Sequence, residues 1–338
     1  MSQDINRKTV TRNAYRITSR RNETCLRIRV PGGHLPARHL ATVQQIADTF
    51  GNGTVHLTSR QGFEVPGIAF GDIPEVNRAI APLLADLEAA IGVNLADPEA
   101  GYPGAGTRNI SACIGNRVCP FANYDTTALA QRIEREVFPH DFHVKIGLTG
   151  CPNDCAKAHL QDFGIIGQAR VEIDPERCVG CEACVKNCRR HITGALRMVN
   201  HRAVRDDRRC IGCGECVLRC PTNAWTRQPT PYFRMVILGR TGKRNPRLAA
   251  TFLEWVTEEV VVQVLKNTYA FIEAHIDRSL VKEHLGYIVD RAGYPAFRDA
   301  VLAGIALPPG AKLAQTLEFH GYWYERDKAL RTSSGDPV

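Results

Sequence analysis

Cys113-Ile-Gly-Asn-Arg-Val-Cys119 and Gly150-Cys151-Pro-Asn-Asp-Cys155 bring four thiols from two separated segments of a 338-residue chain. On a helix the C-x3-C pair of the second stretch would share one face, with Cβ atoms roughly 5–6 Å apart. The C-x5-C pair cannot share a helical face and calls for a loop, in keeping with Gly115 and Asn116 inside it. Four thiolates drawn from two such segments suit a shared metal cluster. A lone C-x3-C means little, but the two stretches together are specific.

Further along, the chain repeats itself with an offset of 32 residues. Cys178-Val-Gly-Cys181-Glu-Ala-Cys184-Val-Lys-Asn-Cys188 aligns with Cys210-Ile-Gly-Cys213-Gly-Glu-Cys216-Val-Leu-Arg-Cys220. Each half is C-x2-C-x2-C-x3-C, the run of bacterial 4Fe–4S ferredoxins, in which the fourth cysteine ligates the cluster of the other half. That resemblance implies one cluster on Cys178, Cys181, Cys184 and Cys220, and another on Cys210, Cys213, Cys216 and Cys188. Structural zinc needs only four ligands, usually in well-separated pairs, and these eight are packed too densely for it. Pro221 follows the second run as in ferredoxins, whereas Arg189 replaces proline after the first. An insert over residues 174–227 therefore carries electrons.

The wider composition agrees. Thirteen cysteines are present, and only Cys25 lies outside residues 113–220; it sits on an alternating strand and reads as an inert buried thiol. A secreted disulfide framework is excluded by the tight cysteine runs and by a polar N-terminus without an apolar signal segment. The longest aliphatic stretch, Val260 to Leu265, is broken by Gln263 and is far below spanning length. The expectation is a cytoplasmic protein with reduced thiols and no membrane partner. Hydrophobic residues at 44% and charged residues at 23% exclude wholesale disorder, and the length suits two or three domains. The net charge of +8 raises nucleic-acid binding, but no helix-turn-helix, zinc-finger or aromatic-stacking pattern supports it. The charge is better assigned to anionic ligands.

Periodicity places the remaining elements. Residues 1–24 are basic and polar and read as an arm. Cys25 to Val30 alternates with period two as a strand, and Pro36 to Phe50 carries apolar residues at helical spacing before Gly51. Short strands follow over Thr54–Thr58 and Gly62–Val65. Asp72 to Glu75 resembles a capping box opening a helix with Val76, Ile80, Leu83, Leu87 and Ile91 on its apolar face. A helix is expected over Asp125–Val137, a strand over His143–Thr149, a helix over Cys151–Leu160 and an extended segment over Gly164–Ile173. After the insert come a strand over Tyr232–Leu238 and a long helix over Thr257–Ile276.

Over roughly residues 25–330 the four-cysteine frame resembles the sulfite/nitrite reductase family, which holds sirohaem beside a 4Fe–4S cluster through a shared thiolate. The insert is placed as in dissimilatory-type enzymes. The resemblance implies an α+β fold: a ferredoxin-like α/β half-domain over 25–95, and a sirohaem and 4Fe–4S domain over 96–173 and 228–338. A two-cluster ferredoxin domain would be inserted over 174–227. It implies three 4Fe–4S clusters and sirohaem, with Cys113, Cys119, Cys151 and Cys155 holding the catalytic cubane and Cys155 bridging to the haem iron. Thr58-Ser-Arg60-Gln61 looks like the family's first arginine segment, and Arg108-Asn109 like its second. The strand before Cys151 normally carries Lys-x-Lys; here His143 stands for the first lysine and Lys145 matches the second. Arg60, Arg108, His143 and Lys145 are thus the candidate catalytic groups. Thr58, Gln61, Asn109, Asn153 and Arg240 are candidates for sirohaem contacts. A cluster of cations suits an oxyanion, because arginine clamps oxygens and lysine supplies field and protons.

No dinucleotide-binding glycine fingerprint is present: Gly101, Gly104 and Gly106 have the wrong spacing, and the loop at Gly239–Arg244 is not a P-loop. A flavin- or nicotinamide-bearing and iron–sulfur partner subunit is therefore implied as electron donor, with self-association a further expectation. The leading function is six-electron reduction of sulfite to sulfide. Nitrite reduction to ammonia is the nearest alternative, followed by a non-catalytic electron carrier and a family relative that oxidises a corrinoid precursor.

Overall fold

The computed structural model describes residues 14–93, 109–137, 142–242, 246–280 and 283–319. In chain order the first elements are β1 (Tyr15–Ile17), β2 (Glu23–Ile28), α1 (His39–Thr49), β3 (His56–Leu57), β4 (Phe63–Ala69), α2 (Ile73–Ile91), β5 (Ser111–Ala112) and α3 (Thr126–Val137). Then come β6 (Ile146–Thr149), β7 (Phe163–Gln168), β8 (Val171–Ile173), α4 (Ala183–His191), β9 (Leu196–Val199), β10 (Arg202–Arg205) and α5 (Glu215–Arg219). The last are β11 (Trp225–Arg227), β12 (Tyr232–Ile237), β13 (Ala250–Val256), α6 (Glu258–His275), α7 (Leu285–Ala292), α8 (Tyr294–Val301) and β14 (Lys312–Leu313). The chain divides into two compact units.

The first unit takes in residues 1–112, 127–146 and 265–303. Its antiparallel sheet runs β1-β2-β4-β3. Leu26 and Ile28 of β2 and Val65 and Ile68 of β4 pack with Val43 and Ile46 of α1 and with Val76, Ile80, Leu83 and Leu87 of α2. Period-two alternation sends the remaining strand residues to the other face. Arg27 pairs with Glu64 and Glu64 with His56, so a polar row crosses β2, β4 and β3, and Arg16, opposite Cys25 on β1, reaches Glu64 diagonally.

Three expectations are corrected here. The supposed arm ends early, because Tyr15 is buried at 1% exposure and β1 completes the sheet edge, pairing with Thr24–Leu26; residues 1–13 lie outside the described residues. No capping box forms at Asp72. A 3-10 turn over Phe70–Asp72 runs straight into α2, so Asp72 already has near-helical angles and its side chain makes no cap bond. The segment Cys151–Leu160 is not a helix either. Asp154 and Lys157 adopt left-handed angles, and only Ala158–Leu160 winds, as a 3-10 turn. The Asp154 carboxylate accepts from the Ala158 and His159 backbone N–H groups at 2.5 and 3.3 Å, closing the turn that helical bonds would otherwise occupy.

The second unit takes in residues 113–126, 147–264 and 304–338. Strand β12 pairs antiparallel with β7 from Tyr232 against Gln168 to Ile237 against Phe163, and with β13 on its other side. All six β7 residues are buried. Tyr124 packs edge-on against Phe233 at 4.9 Å, fixing the segment after Cys119 on this sheet. Strands β8 and β11 pair from Val171 against Arg227 to Ile173 against Trp225 and so bracket a lobe of α4, the β9–β10 hairpin and α5. Val185, Leu196, Ala203 and Trp225 form its small core, together with Cys184 and Cys188.

Candidate active site

Twelve of the thirteen cysteines fall into three groups, all within the second unit. Burial pushes the Cys151 thiol up, the Asn153 backbone N–H opposes this, and the nearby thiols of Cys155, Cys119 and Cys113 add to the rise. The Gly150 backbone N–H donates to Cys113 Sγ at 3.1 Å, and the Thr126 hydroxyl donates to the Cys113 carbonyl. A Cβ at Gly150 would stand 2.4 Å from Ala122 Cβ, so glycine is needed for the two cysteine segments to approach. Cys151 is buried and Cys155 exposed.

The eight cysteines of the lobe separate into two sets. Cys178, Cys181, Cys184 and Cys220 line one small cavity with Val179, Gly180 and Trp225. Cys188, Cys210, Cys213 and Cys216 line another with Ile192, Ile211 and Gly214. Burial first, with neighbouring thiols adding, lifts Cys213 to about 11 and Cys216 to about 12. Among the described residues no three His, Cys, Asp or Glu groups converge closely enough to hold a single metal ion. Cys25 lies apart on β2, its thiol raised to about 11, by burial first.

In the first unit a cavity of about 230 Å³ opens on the polar face of the sheet. Arg16, Arg27, Arg29 and Arg60 line it with His56, Thr58, Glu64 and Asn109. Glu64 Oε1 accepts from Arg16 Nη1 at 2.8 Å and from Arg27 Nε and Nη2 at 3.0 and 2.9 Å. Burial works to raise the Glu64 carboxyl, but those two guanidinium groups outweigh it and hold the group below its ordinary value. Arg29 pairs with Glu134, both buried. Two carboxylates, Glu64 and the buried Glu134, face four guanidinium groups, and the remaining positive charge suits a carboxylate-rich ligand or a small oxyanion.

The expected site residues divide by role. Arg60 lines this cavity at the β3–β4 turn. Thr58 closes that turn, its hydroxyl accepting from the Arg60 and Gly62 N–H groups at 3.3 and 3.0 Å. Gln61 is occupied elsewhere: its amide donates to Ala112 O at 2.6 Å and accepts from Ala112 N at 2.8 Å. Asn109 lines the cavity and donates to Val30 O at 3.0 Å and Arg60 O at 2.6 Å, tying the end of β2 to the arginine turn. Arg108 lies outside the described residues. His143 and Lys145 are buried on the segment leading into β6; His143 bridges to His284, with rings 5.2 Å apart. Neither lines the arginine cavity. Asn153 is exposed beside Cys151, and Arg240, of the second unit, is buried and bridged to Arg247. Arg16, Arg27, Arg29 and His56 were missed in the sequence. Their signal was present as cations at alternate positions, Arg27 and Arg29, on a strand whose other face is apolar.

A family profile described as the nitrite and sulphite reductase 4Fe-4S domain matches residues 103–306, and the nitrite/sulfite reductase ferredoxin-like half domain matches residues 17–83. The chain belongs to the nitrite and sulfite reductase family. It is an oxidoreductase, and the family implies iron–sulfur and sirohaem cofactors. It is 45% identical over 325 residues, 96% of this chain and 95% of the relative, to a subunit of the anaerobic sulfite reductase of Salmonella typhimurium. A ferredoxin–nitrite reductase of Synechococcus elongatus is 31% identical over 160 residues, 46% of this chain and 28% of the relative. The crystal structure of dissimilatory sulfite reductase I shares the fold, with a TM-score of 0.63 at 17% identity, covering 93% of this chain and 78% of that one. No helix among the described residues is long and apolar enough to cross a membrane.

Proposed function

We propose that the chain is the catalytic subunit of an anaerobic, dissimilatory-type sulfite reductase that takes sulfite to sulfide in six electrons. The observation that carries sulfite over nitrite is likeness along 96% of the chain, lobe included, to a sulfite reductase subunit, against 46% for the nitrite reductase. Cys113, Cys119, Cys151 and Cys155 would hold the catalytic cubane, with the exposed Cys155 the thiolate available to sirohaem. The two four-thiol cavities of the lobe hold two further clusters. Four thiols around each of two adjacent cavities, in two C-x2-C-x2-C-x3-C runs, support a multi-iron core in each over tetrahedral zinc. Sirohaem, when bound, would supply the redox-active iron for the reduction.

The protein's own groups do the rest. Arg60 offers paired N–H donors to an oxyanion, and Asn109 and Thr58 fix the backbone that presents it. Arg16, Arg27 and Arg29 supply positive charge for carboxylates. Glu64, ionised at neutral pH, keeps Arg16 and Arg27 from splaying apart by mutual repulsion. Lys145 and His143, buried on the segment leading into β6, are the candidate proton donors for that reduction. A flavin- or nicotinamide-bearing subunit supplies the electrons. The test is turnover of sulfite by the loaded chain with reduced viologen as donor. Sulfide is expected, and its absence from a chain that carries sirohaem and clusters would overturn the proposal.

A further inference from the structure

Two loops of the second unit meet in a seam to which the roles above give no purpose: the loop after Cys119 and the loop between Cys210 and Cys213. The Asn123 side-chain amide donates to Gly167 O at 3.3 Å and to Gly212 O at 3.4 Å, while the Asn123 backbone N–H donates to Gly150 O at 2.8 Å. Gly212 adjoins Cys213 and Gly150 adjoins Cys151. One asparagine and two hydrogen bonds therefore connect a cysteine of the lobe to a cysteine of the catalytic four. The seam is reinforced on both sides. Ala169 N donates to Gly212 O at 2.8 Å, Gln168 Nε2 to Ile211 O at 3.2 Å, and Arg227 to Pro120 O at 3.2 Å. Gly212 has φ +72°, and a Cβ there would sit 2.7 Å from the Trp255 ring, so only glycine permits this approach.

The other cysteine set makes different contacts. Cys181 is exposed and Val179 is 66% exposed. Gly180 packs on His201, Arg202 donates to Cys178 O, and Cys220 Sγ accepts from Ala224 N at 3.2 Å; all of these partners belong to the lobe itself.

We propose that the lobe has a fixed polarity, with the set Cys188, Cys210, Cys213 and Cys216 as the inner one, coupled to the catalytic cysteines through Asn123, and the set Cys178, Cys181, Cys184 and Cys220 as the outer one where electrons enter. This rests on the assignment of two clusters made above. A low-potential one-electron donor is oxidised, the outer set is reduced by that electron, and the electron then moves inward with no bond made or broken. Asn123 is a positioning residue for this transfer.

The test is electron paramagnetic resonance of the loaded, reduced chain. Cys181→Ser and Cys213→Ser each shift the resonance of one cluster and so assign it. With a soluble dysprosium chelate, the resonance shifted by Cys181→Ser relaxes several-fold faster. The one shifted by Cys213→Ser is barely affected and carries splitting from the catalytic centre. The reverse pattern, or equal relaxation of both, overturns the polarity. Where a serine variant does not fold, Asn123→Leu decides by rapid freezing. Reduced viologen reduces the lobe at the original rate, the catalytic centre is reduced several-fold more slowly, and Asn123→Gln restores part of the difference. Unchanged arrival at the catalytic centre overturns the role of Asn123. Iron analysis separates the two failures: a lobe without clusters refutes the functional proposal, whereas full clusters with reversed relaxation refute only the polarity.

Discussion

Asn109 offers a clean separation of positioning from contact, because its amide donates to two carbonyls, Val30 O just after β2 and Arg60 O in the turn that lines the arginine cavity. Asn109→Ala removes both bonds. At about 1 kcal/mol for each neutral hydrogen bond, the loss is about 2 kcal/mol. For a unit of this size that lowers the melting temperature by about 4–8 °C. Val30 O keeps its bond from Gly33 N, whereas the Arg60 carbonyl loses the tether that holds its turn, so Arg60 is the group set loose. Asn109→Asp is the sharper perturbation, since a carboxylate of the same shape cannot donate and faces two carbonyl oxygens. An unpaired charge at a site only 6% exposed costs about 3–5 kcal/mol. Burial and the carbonyls raise the folded-state pKa of that introduced carboxyl, so its penalty is full above the folded value and disappears below the ordinary aspartate value of about 3.9. The assay is thermal unfolding followed by circular dichroism from pH 4 to 8, paired with the KM for sulfite. The order of stability at neutral pH is Asn, then Ala, then Asp, with KM rising more than kcat falls. An Asp variant as stable as the Ala variant at pH 7, or an unchanged KM in both, would refute this account of Asn109.

Other residues carry their own tests. Glu64→Gln weakens the hold on Arg16 and Arg27 by about 1 kcal/mol, discounted because Arg16 is half exposed. Since the folded-state carboxyl lies below its ordinary value, that contribution is present above about pH 4.3 and is lost as pH falls through the folded value. Melting curves of the two forms should converge in acid, and a gap independent of pH would count against the ion pair. Gly150→Ala forces a Cβ to 2.4 Å from Ala122 and moves the loop behind Cys119; iron analysis should show a loss of about four irons per chain, with the lobe clusters retained. Cys155→Ser should abolish sulfide formation and the magnetic coupling of haem to cluster, and sulfide output at the original rate would sink the bridging role.

Much of the site was legible because cysteine spacing is a covalent constraint that tertiary context cannot override. The two runs with swapped fourth ligands predict two sets, and the structure gathers the thiols around two cavities in those groupings. Strand β2 and the apolar stripe of α2 were equally plain, since burial of one face enforces period two and period 3.6. The turn at Cys151–Leu160 was hidden because its pattern also fits a helix, and what decides against one is the Asp154 carboxylate capturing backbone N–H groups. The arginine cavity was hidden for another reason. Arg27 and Arg29 on an alternating strand read as solvated charges until the register with Arg16 and Glu64 shows a shared wall. Gln61 has a second role that its motif did not signal: its amide pairs with the Ala112 backbone.

The central claim is substrate choice at a sirohaem and 4Fe–4S centre, and product analysis tests it most directly. The loaded chain, driven by reduced viologen in an equimolar mixture of sulfite and nitrite, is assayed for sulfide and ammonia together. Sulfide as the main product is the outcome the account predicts. Efficient ammonia formation with little sulfide, from protein shown to hold sirohaem, would contradict it.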